Sequence, residues 1–179
     1  MMPAHMPPHK TSEQDPGSEH RLRMCRLCAG GTAGLSVCAL EIERGGPSYT
    51  VDTLESIHDS HPHAQLTFIV GADIASTLPA WREPSRLLEL AGLAVAAREG
   101  PGRQGVLDSL APLLAARPAP ENDDGDGIRF LDMPAVHISS SMVRERVARG
   151  DRIEDLVGGA VAAYIAEHGL YRSHTGAPG

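Results

Sequence analysis

The sequence predicts an α/β fold built on a parallel sheet, and three observations carry that prediction. The runs LTFIV (Leu66–Val70) and LAVAA (Leu93–Ala97) are short, continuous and apolar, as in strands buried on both faces. Stretches with apolar residues at helical spacing alternate with them. The connections are short and rich in Gly and Pro. Alternation of this kind places helices over both faces of the sheet, a Rossmann-like doubly wound arrangement with helices at its C-terminal end.

In chain order, Glu19–Ala29 has helical spacing, and LSVCALE (Leu35–Glu41) alternates like a half-exposed strand. GGPS forms a turn, and Tyr49–Asp59 a helix with Val51, Leu54 and Ile57 on one face. After the strand at Leu66–Val70, a helical stretch punctuated by Pro79 and Pro84 runs from Asp73 to near Ala91. The Leu93–Ala97 strand leads to a helix over Gln104–Ala116, and RPAPENDDGDG (Arg117–Gly127) is a surface loop. IRFLDM is a strand, and Ser140–Arg149 and Ile153–His168 are two helices. The expected organisation is one domain over residues 1–171 and a flexible tail over 172–179, with no internal repeat.

The chain has 179 residues, enough to bury a core, but only 3% are aromatic, so Ala, Leu, Val and Ile must fill it. A net charge of −7 argues against nucleic acid or an anionic membrane as the main partner, since both reward a basic face. A small anionic ligand remains compatible, because local Arg residues and helix ends can bind one. No apolar run approaches the ~18 residues of a membrane span, and the first residues lack the apolar stretch of a secretory signal. A cytoplasmic location is expected. The three cysteines, Cys25, Cys28 and Cys38, have no second pair at metal spacing and read as small core residues. His58, His61 and His63 read as the polar end of a helix entering a turn.

In a doubly wound sheet, ligands sit at the carboxyl ends of the strands. Gly71 and Asp73 follow TFIV there. Gly71 lets backbone approach a ligand, and Asp73 is either a helix cap or a ligand contact. Arg98 follows LAVAA as a cation at a strand end. Beyond IRFLDMPAVH, Ser139, Ser140 and Ser141 open a helix whose first acid, Glu145, comes too late for the first turn. That start is either an ordinary serine cap or an anion site, with Arg144 placed to fork onto phosphate oxygens. GGPSYTVDTL repeats the pattern with Ser48 and Thr50 at a helix start. Trp81, the only tryptophan, is either core or a platform for a heterocycle.

These pieces together resemble the bacterial nicotinate-nucleotide adenylyltransferases of the nucleotidylyltransferase superfamily. The resemblance rests on PPHK (Pro7–Lys10), EHRLRM (Glu19–Met24), EIERGGPSYTVDTL (Glu41–Leu54), FIVGADIASTLPAW (Phe68–Trp81), ISSSMVRERVARG (Ile138–Gly150) and YIAEHGLY (Tyr164–Tyr171), in the family's order. It implies transfer of AMP from ATP to nicotinate mononucleotide, with Mg2+, giving nicotinate adenine dinucleotide and pyrophosphate on the route to NAD. It also implies that Ser139, Ser140, Ser141 and Arg144 hold the ATP phosphates, with His9 and Lys10 reaching the phosphates from another loop. By the same resemblance, Ser48, Tyr49, Thr50, Gly71, Asp73, Trp81 and Arg98 serve the mononucleotide. Two other readings stay open: a fragment that binds nucleotide without catalysis, and a related acceptor such as nicotinamide mononucleotide or phosphopantetheine.

The sequence departs from the family at two places. DLVGGAV (Asp155–Val161) lacks a proline common in the family. The superfamily's Gly-rich loop, of the type G-G-x-F-D-P-x-H-x-G-H, is missing; AGGTAG (Ala29–Gly34) lacks its Phe-Asp-Pro and both histidines. The expectation is therefore of an N-terminally truncated sheet, with Met1 an internal methionine, and of poor stability and activity for a chain that starts there.

Overall fold

A computed structural model describes residues 1–6, 15–96, 102–115, 128–134 and 136–172. The chain divides into two compact units: Met1–Ser48 with His137–Gly179, and Tyr49–Val136.

The second unit contains the parallel sheet. Helix α3 (Thr50–Ser60) leads to β1 (Thr67–Gly71), then to α4 (Ala72–Ala75), a 3-10 turn at Leu78–Ala80 and α5 (Pro84–Leu90). Strand β2 (Gly92–Ala96), α6 (Arg103–Ala115) and β3 (Ile128–Leu131) complete it. Strand order follows chain order, β1-β2-β3, with Phe68 opposite Leu93 and Val95 opposite Phe130. On β2, Leu93, Ala94 and Val95 are all buried. Successive strand residues point to opposite faces, so the middle of the sheet is covered on both sides, as the apolar run LAVAA predicts. Leu93 and Val95 join Leu54, Val70, Leu78, Leu87, Val106 and Leu110 in one apolar cluster fed by α3, α4, α5 and α6.

The proline pattern divides the segment from Asp73 to Ala91. It forms three short pieces instead of one helical stretch, and Pro79 and Pro84 each occupy an opening position of a piece. There the missing N–H costs nothing, because the first turn's donors have no intrahelical partner.

The first unit packs α1 (Ser18–Ala29) against α9 (Gly159–Glu167), which also meets α8 (Glu154–Val157); α7 (Ser140–Arg149) precedes them in the chain. Val143, Ile153, Val161, Ala162 and Ile165 form its apolar cluster, with Met24 and Leu27 of α1 against it. The helix predicted over Ile153–His168 breaks at Gly158, whose φ of 78° ends α8.

Two expectations are corrected. Leu35–Glu41 is not a strand; the chain is irregular until α2 (Leu40–Arg44). Its backbone does make one strand-like exchange, Met1 N–H to Ser36 O at 2.7 Å and Cys38 N–H to Met1 O at 2.9 Å. That single rung around Val37 is too little pairing to sustain a strand. The cysteines are not core residues either: Cys28 and Cys38 are exposed and Cys25 is half-buried. Burial, and to a lesser degree the neighbouring Cys28, push the Cys25 thiol pKa up, so it stays a protonated thiol.

Candidate functional site

In the first unit, α7 opens as the triple serine predicts. Ser139 is the N-cap in extended conformation, and its hydroxyl accepts from Met142 N–H at 3.2 Å. Ser140 and Ser141 are exposed in the first turn, which has no acidic residue. Arg144 folds back to donate from Nη2 to Ser141 Oγ at 3.1 Å. The serine cap, one of the two alternatives read from the sequence, is thus present. One serine caps the helix, while two hydroxyls and a guanidinium cluster where the helix dipole favours an anion. Tyr171, half-buried in the same unit, has its hydroxyl pKa raised by burial, with Arg144 among the cations opposing that rise.

Ser48, also in this unit, is tied to the N-terminal segment. Its N–H donates to Met6 O at 2.9 Å, its Oγ accepts from His5 N–H at 2.9 Å, and Met6 bridges Pro47 in parallel fashion. Gly45 and Gly46 precede it at φ of 70° and 69°, a left-handed pair that supplies the turn. The Nδ1 atom of His5 is buried and has no hydrogen-bond partner among the described residues.

In the second unit, Tyr49 is the extended N-cap residue of α3 and Thr50 its first residue. Arg82 lies over the Tyr49 ring, 4.8 Å from its centroid, and reaches Asp52 Oδ2 at 3.4 Å. Trp81 donates from Nε1 to Thr77 Oγ1 at 3.0 Å and meets Phe68 edge-on, with ring centroids 6.2 Å apart. It is half-buried against the apolar cluster, so core packing accounts for part of its ring. Gly71 takes the cap position of α4 in extended conformation, and Asp73 stands exposed in the first turn. Asp73 is therefore not the cap.

The structure brings Ser141 to Arg144 in one unit, and Tyr49 to Arg82 next to Trp81 in the other. His9, Lys10 and Arg98 lie outside the described residues. The sequence reading missed Arg82, Thr77, His5 and Arg21. Arg82 had a usable signal, as a cation directly after the tryptophan. Arg21 stands in EHRLRM without a role, and two of its partners, the carbonyls of Ala4 and His5, leave no trace in sequence. A cavity of about 550 Å³ between α1 and α9, lined by His20, Arg23, Tyr164 and His168, contains none of the candidate residues.

Among the described residues no three His, Cys, Asp or Glu side chains converge to hold a metal ion. The donors at α7 are hydroxyls and a cation, a set suited to phosphate and unsuited to a resident metal. None of the described helices is long and apolar enough to cross a membrane.

The parallel sheet with helices over its faces is a Rossmann-like α/β fold, a class that takes ligands at the carboxyl ends of its strands. The cytidylyltransferase-like family pattern matches residues 1–146. A probable nicotinate-nucleotide adenylyltransferase of Gemmatimonas aurantiaca is 39% identical over 174 residues, 97% of this chain and 78% of that one. A protein of the same name from Geobacillus kaustophilus is 36% identical, covering 98% of this chain and 72% of its own. Among solved structures, Plasmodium falciparum nicotinic acid mononucleotide adenylyltransferase complexed with NaAD aligns at a TM-score of 0.68 and 17% identity, over 95% of this chain and 80% of that one. That likeness bears on the fold alone. The chain belongs to the cytidylyltransferase-like family and, within it, to the nicotinate-nucleotide adenylyltransferases.

Proposed function

We propose that the chain transfers AMP from ATP to nicotinate mononucleotide, releasing pyrophosphate and forming nicotinate adenine dinucleotide for NAD biosynthesis. The observation that carries this reading is the 36–39% identity, over nearly the whole chain, to proteins of that name. A phosphate oxygen of the mononucleotide attacks the α-phosphorus of ATP. One P–O bond forms, the bond to the β-phosphate bridge breaks, and the electron pair leaves with pyrophosphate. No protein nucleophile is required, so the protein's task is alignment and charge neutralisation.

Ser139, Ser140, Ser141 and Arg144 are assigned to the ATP phosphates, supported by the acid-free first turn of α7 and by the Arg144–Ser141 contact. His9 and Lys10 are assigned to the same phosphates by resemblance. Ser48, Tyr49, Thr50, Gly71, Asp73, Trp81 and Arg98 are assigned to the mononucleotide, with Arg82 added because it stacks on Tyr49. Nucleotidyltransferases of this family generally use a divalent metal with ATP. We assign Mg2+ here, entering as the metal complex of ATP and held by the phosphate oxygens. A cytoplasmic location belongs to the same proposal.

The test is pyrophosphate release from ATP with each of three acceptors: nicotinate mononucleotide, nicotinamide mononucleotide and phosphopantetheine. Release with nicotinate mononucleotide at the highest kcat/KM is expected. Preference for another acceptor would replace the substrate, and ATP binding without release would make the chain a nucleotide-binding fragment.

A further inference from the structure

EHRLRM is a motif to which the reaction gives no work, and its arginine joins three separate acceptors in the first unit. Arg21, on α1, donates from Nη2 to Ala4 O and to His5 O, each at 2.7 Å. Its Nη1 pairs with Asp15, which also accepts from Gly17 N–H at 3.0 Å. The Arg21 side chain is 23% exposed; its two carbonyl bonds are part-buried, and the Asp15 pair lies at the surface.

Ala4 C=O and His5 N–H belong to the same peptide unit. That unit is planar and trans, so its two polar groups point in opposite directions. Arg21 holds the oxygen, and the N–H on the far side donates to Ser48 Oγ at 2.9 Å. The second carbonyl held by Arg21, that of His5, belongs to the next peptide along, so both planes flanking His5 are fixed by one rigid fork. A serine oxygen that accepts from a backbone N–H keeps its own proton for donation. The hydroxyl of Ser48 is thereby presented as a donor, the role an anionic ligand demands.

We propose that Arg21 is a positioning residue for mononucleotide binding, acting through the Ala4–His5 peptide to aim the Ser48 hydroxyl. The proposal rests on the assignment of Ser48 to the mononucleotide. An arginine serves where a lysine would not, because one ammonium cannot bridge two carbonyls and a carboxylate in a plane.

The test combines kinetics with amide exchange. Arg21→Ala is expected to raise the KM for nicotinate mononucleotide about tenfold, the scale of one charge-assisted hydrogen bond, with the KM for ATP unchanged. Arg21→Lys should recover only part of that loss. In the double variant with Ser48→Ala, the KM should match that of Ser48→Ala alone, because Arg21 acts through that hydroxyl. Additive losses, or equal increases in both KM values, would overturn the proposal. Hydrogen exchange at the His5 amide reads the peptide link without reference to activity. Protection should fall in Arg21→Ala, and unchanged protection overturns the link itself. A Ser48→Ala variant with an unaltered KM overturns the assignment of Ser48, and with it Arg21's part in binding. If Arg21→Ala does not fold, Arg21→Lys carries the same comparisons.

Discussion

Arg144 and Ser141 touch each other, yet they should contribute unequally to catalysis. Under the proposed assignment to the ATP phosphates, the guanidinium brings a full charge and a planar fork, while the serine, which it touches, brings one neutral hydroxyl. Arg144→Ala is expected to lower kcat for pyrophosphate release by about 10²–10³-fold, the range for removing one group that meets developing charge. Ser141→Ala should cost less than about tenfold on the same scale. Steady-state pyrophosphate assays separate the two. Asp15 offers a pH test. Burial works to raise its pKa, but the Gly17 N–H and then the hydrogen bond and charge of Arg21 outweigh it, leaving the carboxyl below its ordinary 3.8. A carboxyl whose pKa is lower in the folded state contributes stability that is complete above the unfolded value and is lost as pH falls through the folded one. Thermal melts should therefore show Asp15→Asn below the parent at about pH 6, with the two converging as pH falls below 3.8 and through the lowered folded-state value. Residues with charge or hydroxyl chemistry at predicted helix starts were legible in the sequence. Arg21 was not, because its link to Ser48 runs through main-chain oxygens of Ala4 and His5, which no side chain marks.

At the level of elements, the strands were legible because burial on both faces removes the alternation and leaves plain apolar runs, as in LAVAA. Leu35–Glu41 misled for the opposite reason. Its alternation of Leu35, Val37 and Ala39 is a strand signal only if a partner strand supplies hydrogen bonds, and Met1 supplies a single rung. Helix α7 keeps the bounds expected of it, Ser140–Arg149, with Gly150 closing it in left-handed conformation. Ser139→Ala should destabilise the protein by about 1 kcal/mol, the usual cost of losing a serine cap, as measured by chemical denaturation. Helix α6 contains Pro112 in its interior, where the ring removes a donor from the last turns. Pro112→Ala is expected to raise stability by about 1 kcal/mol, the lost helical bond being partly offset by a freer unfolded chain. A fall in the denaturation midpoint would show that the helix is shaped around the proline.

For the molecule as a whole, each unit has its own apolar cluster, and the single tryptophan reports on one of them. Trp81 packs against the cluster that includes Leu93, which is 1% exposed. Leu93→Ala should cost about 2–5 kcal/mol, the range for truncating a leucine in a packed core, read as a shift of the Trp81 fluorescence transition in denaturant. The alternation of strands and helices made the sheet unit foreseeable from sequence, but the division into two units was not. Nothing local marks Met1–Ser48 as belonging with His137–Gly179. That interleaving has a consequence during synthesis. The sheet unit is continuous in the chain, whereas α1 and its partner α9 are separated in sequence by the whole of it. At about 5–20 residues per second, α1 waits on the order of ten seconds with Leu22, Met24 and Leu27 uncovered. Nascent chains stalled just before His137 should therefore show an α1 that protease still cleaves, an interval in which a chaperone would find its substrate.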